Sequence, residues 1–137
     1  MKQEYRNYAK KLEEIGDKII SITNRTARLN EGLVHTKKEL IENQNNARVA
    51  TENYRLLINE LLEMKVPSVV AGEHNGLISG ISCFVHGHSL MRDSINIDEN
   101  TVDKKQMAQG LAINDIGLGT VKRSSERISD ILTNHYK

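Results

Sequence analysis

Apolar residues in the first half of the chain return every three or four positions without a slip. Tyr5, Tyr8, Leu12, Ile15, Ile19, Ile22, Thr26, Leu29 and Leu33 follow one another in this rhythm. An average step of about 3.5 residues keeps one seam on one side of a helix, as in bundles and coiled coils, and is incompatible with a half-buried strand. Leu40, Ala47, Ala50, Tyr54, Leu57, Leu61 and Met64 continue in a compatible phase. The chain is therefore expected to be all-α.

The seam passes two candidate breaks. Asn30-Glu31-Gly32 offers a glycine for a left-handed helix end. Thr36 and Glu39 then stand at the spacing of a capping box, which satisfies the free amides of a new helix. Gln44-Asn45-Asn46 competes as a break. Two helices are expected, the alternative being one long N-terminal helix of about 60 residues, roughly 90 Å, followed by a helical hairpin.

Pro67, the sole proline, fits the first turn of a third helix. The polar run Asn96-Ile97-Asp98-Glu99-Asn100 reads as a turn, after which Asn100 or Thr101 caps a fourth helix with Asp103 in its first turn. The expected helices cover roughly 3–31, 36–65, 67–95 and 101–136. Similar lengths and short connections predict an antiparallel up-down-up-down four-helix bundle, one domain spanning residues 1–137.

Most of the nine glycines fall within the last two helices. Each costs about 1 kcal/mol relative to alanine in a helix interior, so together they weigh against the net stability of a small domain. Close helix packing offsets such a cost. Gly76, Gly80, Cys83 and Gly87 form one stripe, and Gly110 and Gly117 stand seven apart on the apolar face of the last helix. With the turn centred between Asp98 and Glu99, residues equidistant from it face each other. Gly87 then meets Gly110, and Gly80 meets Gly117. The same gap read functionally is a groove for a ligand or a partner helix.

The third helix also carries a polar stripe, Asn75, Ser79, Ser82, His86, Ser89 and Asp93, while His74 and His88 fall on its apolar side. A stripe of this kind is a solvated face. Turned inward, it would make His86, Cys83, Ser79, Ser82 and, across the hairpin, Asn114 the binding residues for a small polar or anionic ligand, with His86 the pH-sensitive member.

Reaction chemistry has little to stand on. His74 and His88 lie about 21 Å apart along the helix and cannot share a metal. Cys83-x-x-His86 is a two-ligand corner whose partners across the hairpin would be Asn114 and Leu111, which are poor ligands. The Glu-x-x-His pairs of di-iron bundles are missing. Gly117-Leu118-Gly119 lacks the further glycine, lysine and preceding strand of a phosphate loop. No catalytic residue, metal or cofactor is expected.

The formal charge is +1, with bases scattered in pairs such as Lys10–Lys11 and Lys122–Arg123, so no nucleic-acid footprint is expected. No apolar run is long enough for a membrane span. Cys83 is alone, which fits a reducing compartment. The segments EYRNYAKKLEEIGDKIISIT and KVPSVVAGEHNGLISGI resemble small helical domains of uncharacterised lipoproteins of Gram-positive bacteria, through a tyrosine-led first helix and a Pro-then-His entry to the third. The resemblance implies no catalytic residues. The sequence as it stands reads as cytoplasmic; the resemblance offers an exported, lipid-anchored protein as the alternative, which would require a leader already removed. The expectation is a non-enzymatic helical module that binds protein, itself included.

Overall fold

The computed structural model describes residues 2–26 and 36–136, with the side chains of the last two of these left out. It is a four-helix antiparallel bundle. Helix α1 is Gln3–Thr26, α2 Lys37–Glu63, α3 Ala71–Asp93 and α4 Lys104–Tyr136. A 3-10 turn, Ser68–Val70, leads into α3, and a hairpin of β1 (Ile95–Asn96) with β2 (Thr101–Val102) joins α3 to α4. The first half is two helices rather than one. The Asn30-Glu31-Gly32 break, and the last expected turn of the first helix, lie outside the described residues.

Helix boundaries follow local chemistry. Thr36 caps α2, accepting the Glu39 amide at 3.1 Å while its own hydroxyl reaches the Glu39 carboxylate. Pro67 does not enter the first α-turn. It precedes the 3-10 turn, accepting the Val70 amide at 3.0 Å, and α3 proper starts at Ala71. The cap of α4 is neither Asn100 nor Thr101. Asn100 takes φ 56°, the left-handed position that closes the hairpin, and Thr101 is held in β2. Asp103 does the capping, its carboxylate accepting the Gln106 amide at 3.0 Å. Ile95, expected at the end of the third helix, stands in β1 instead.

Contacts between helices set their offsets. Gln44 on α2 donates to the carbonyls of Arg92 and Ile95, and Leu61 near its other end meets His74. Hence α2 and α3 are a hairpin centred on Pro67, as α3 and α4 are centred on the Asp98–Glu99 turn. Helix α1 is shifted along this frame. Its Lys18 reaches Glu60 at 2.7 Å and Thr23 reaches Tyr54 at 3.3 Å, so the first turns of α2 run on past the end of α1 as described.

That offset divides the core. The larger cluster takes Tyr5, Tyr8, Ile15 and Ile22 of α1 with Tyr54, Leu61, Leu77, Ile81, Phe84 and Ile128. At the hairpin end, among the described residues, a smaller cluster of Ala47 and Met91, backed by Met107 and Leu111, lies between α2, α3 and α4. Among the described residues, no helix is long and apolar enough to cross a membrane.

Candidate interaction groove

Helices α3 and α4 touch through backbone. A Cβ built on Gly117 would stand 2.6 Å from the Gly80 carbonyl oxygen, and one on Gly80 would stand 2.9 Å from that of Gly117. Gly87 and Gly110 repeat the arrangement, each hypothetical Cβ lying 2.6 Å from the other's carbonyl oxygen. Gly76 meets the Ser124 side chain instead of a glycine. Contacts this short leave no room between the helices at the level of either pair.

The five residues singled out as ligand contacts are not gathered around a cavity. Ser79, Ser82 and His86 are exposed, and the Ser82 hydroxyl donates to the Ile78 carbonyl of its own helix at 2.8 Å. Cys83 is half-buried, with its Cβ against Gly117. The Asn114 amide donates to the Met91 sulfur at 3.3 Å. Its Oδ1 lodges over Gly87 and is enclosed without a hydrogen-bond partner. Cys83 and Asn114 thus belong to the helix contact, and the other three to the solvated face.

Both apolar-side histidines are buried and engaged. Leu61 O accepts from His74 Nε2–H at 2.8 Å, while the Tyr8 hydroxyl donates to His74 Nδ1 at 2.8 Å. Leu61 lies in the last turn of α2, where its carbonyl otherwise accepts the Met64 cap amide at 3.4 Å. His74 therefore fastens the end of α2 to the start of α1. Burial, with Glu73 nearby, pushes the Tyr8 phenol above its ordinary pKa. His88 donates from Nδ1 to the Phe84 carbonyl at 2.8 Å and packs its ring 5.2 Å from that of Tyr54. Burial holds the His88 pKa below its ordinary value, against the Phe84 carbonyl and the Asn114 side chain, which favour the proton.

The bundle is open along a different seam. Helices α1 and α4 make little contact along their described lengths, and between them runs an apolar groove of about 460 Å³. Leu12 and Ile19 form one wall, Val121, Ile128 and Leu132 the other, with Ile81 at the floor. Small residues mark the margins: Gly16 on α1, and Ser125 and Ser129 on α4. A Cβ on Gly16 would meet nothing within 4 Å. Ile20, beside the groove, is 58 % exposed. Among the described residues, Glu13 is the one charged residue on the lining.

A larger cleft, about 670 Å³, opens between the start of α1 and the end of α2. It is lined by Glu4, Lys11, Glu60, Glu63 and Lys65, among others, and its charges partly neutralise each other, Lys11 standing 3.7 Å from Glu60. A solvated ion-pair surface of this kind gives little binding energy. The apolar groove is the better candidate for recognition, because covering it removes hydrocarbon from water.

Periodicity pointed to the residues of the groove but not to the groove. Ala9 and Gly16, seven apart and each next to a seam residue, are the signal that could have found it. Comparison with protein-family models, with curated proteins and with solved structures gives no match for this chain.

Proposed function

We propose that the protein is a non-enzymatic helical interaction module, and that it self-associates by docking helix against helix along the α1–α4 groove. The observation that carries the reading is the unfilled apolar seam between α1 and α4, with Ile20 protruding at its edge. A knob and a hole on one face make a self-complementary patch, which two copies related by a two-fold axis satisfy simultaneously. Gly16, Ser125 and Ser129 at the margins allow close backbone approach. Three chemistry-bearing side chains of α3 are engaged within the bundle: both His74 nitrogens are occupied, His88 faces a carbonyl and an aromatic ring, and Cys83 packs on Gly117.

For a polar ligand between α3 and α4, the other function expected from the sequence, the glycine contacts leave little space at the Gly80–Gly117 and Gly87–Gly110 levels. The single free thiol, Cys83, favours a cytoplasmic setting.

Sedimentation velocity across a concentration series tests the proposal. The wild-type protein is expected to dimerise at micromolar concentration, and Ile20→Asp, on an exposed position, to remain monomeric with unchanged helicity. A wild type that stays monomeric throughout, or an Ile20→Asp dimer as tight as the wild type, overturns it.

A further inference from the structure

Opposite charges elsewhere on the surface find one another: Lys18 with Glu60, Arg48 with Glu52, Arg92 with Asp93. One place departs from this habit. Between the first turns of α3 and the second half of α4 lies a cavity of about 390 Å³, lined by Glu73, Thr120, Arg123, Ser124 and Arg127, with Gly72 and Gly76 on the α3 side. Arg123 and Arg127 stand one turn apart on α4. Among the described residues, neither arginine makes an ion pair, and neither does Glu73. The sole polar contact of either guanidinium is Arg123 with the Thr120 hydroxyl, at 3.5 Å.

The back of the cavity holds a second oddity. Ser124 is only 8 % exposed, with its hydroxyl turned toward Gly76, and that hydroxyl makes no hydrogen bond among the described residues. Among the described residues the fully enclosed side-chain atom without a partner is Asn114 Oδ1, far along α4 from this cavity, so the Ser124 oxygen retains access to the cavity. Buried hydroxyls are ordinarily satisfied, frequently by the carbonyl one turn back, as Thr26 and Thr51 are here. On the facing wall Gly72 offers no side chain, and a Cβ there would meet nothing within 4 Å.

We propose that this cavity binds a free amino dicarboxylate of the aspartate or glutamate type. Two carboxylates answer the two guanidiniums, whose planar forks suit that geometry. The ligand's ammonium answers Glu73, and the Ser124 hydroxyl donates to a carboxylate oxygen at the back. The charges choose this class over simpler ones. A plain anion would meet the Glu73 carboxylate, and a plain cation would meet both arginines. A ligand with two acids and one ammonium neutralises all three side chains. The volume lies within the range of small-molecule sites, so a molecule of this size fits together with its hydration.

Amide-resolved NMR titration of the wild-type protein with L-glutamate and L-aspartate tests the assignment, with glutarate, which lacks the ammonium, and inorganic phosphate as comparison probes. Saturable shifts are expected at Gly72, Gly76 and Ser124 for the amino acids, with glutarate and phosphate weaker by roughly tenfold or more. Arg127→Gln, on an exposed position, is expected to weaken glutamate by a similar factor. Glu73→Gln is expected to bring glutarate level with glutamate. Absence of saturable shifts at these amides, or glutarate binding the wild type as tightly as glutamate, overturns the proposal.

Discussion

Gly80 and Gly117 face each other so closely that a methyl group on Gly117 would stand 2.6 Å from the Gly80 carbonyl oxygen. The pair is equidistant in sequence from the Asp98–Glu99 turn, as are Gly87 with Gly110 and the strand partners Ile95 and Val102. One register therefore runs from the hairpin tip through two levels of helix contact. Two helices of equal rise per residue, leaving one turn in opposite directions, keep it.

Alanine at these positions is expected to destabilise the bundle. A helix interior gains about 1 kcal/mol from Gly→Ala, but the obstacle here is backbone, which cannot swing aside. Overpacking of that kind costs about 1–3 kcal/mol or more, so Gly117→Ala should lower stability by a net amount on the order of 1–2 kcal/mol in urea denaturation. Gly16→Ala, with open space at its Cβ, should instead raise stability by up to about 1 kcal/mol. Equal effects at the two sites would show that the α3–α4 contact is not as close as described.

The Tyr8–His74–Leu61 chain ties three helix ends through two hydrogen bonds of 2.8 Å. Tyr8→Phe leaves His74 Nδ1 buried without its donor, a cost of about 1–3 kcal/mol. Alkali should act on the same pair. The folded phenol has a pKa above its ordinary value, so the unfolded chain releases the proton first. Stability from this group is complete below pH 10 and declines as pH rises above it. Denaturation midpoints between pH 9 and 11 should fall more steeply in the wild type than in Tyr8→Phe.

His88 works in the opposite direction along the pH axis. Its pKa is held below the ordinary 6.5 by burial, so on acidification the unfolded chain takes up the proton first. The contribution is complete above pH 6.5 and is lost as pH falls from there through the lowered folded value. His88→Gln is expected to be less stable at neutral pH, because it gives up the ring packing against Tyr54 and disturbs the hydrogen bond to the Phe84 carbonyl. It should also show a flatter dependence between pH 7 and 5. A variant with the wild-type slope would place the titrating group elsewhere.

The fold was legible to the extent that it rests on periodicity and on turn chemistry. Tyr5, Tyr8, Ile15 and Ile22 are buried as the seam requires. The same seam includes Leu12 and Ile19, which are only half-covered. Periodicity tells which face of a helix is apolar; whether a neighbour reaches that face depends on how far α1 slides along α2. Asp103 took the cap from Asn100 and Thr101 because hairpin closure used both, a competition that local propensity does not weigh. Arg123 and Arg127 were part of an undistinguished scatter of bases. Only folding sets Glu73, some fifty residues earlier, beside them.

Gly16 offers a way to separate docking from folding. It lines the groove, its Cβ position is empty, and the helix around it gains from any side chain. Gly16→Leu should therefore place hydrocarbon across the seam between Leu12 and Ile20 while leaving the α2–α3–α4 frame untouched. The helix gains about 0.7–1 kcal/mol in propensity, and the new side chain covers apolar surface of Leu12 and Ile128. Thermal denaturation should show a midpoint equal to or above that of the wild type, and sedimentation a monomer at concentrations where the wild type pairs. A substitution that leaves pairing intact would move the interface away from the groove. One that loses both pairing and stability would mean that α1 and α4 lie closer together than an open seam allows.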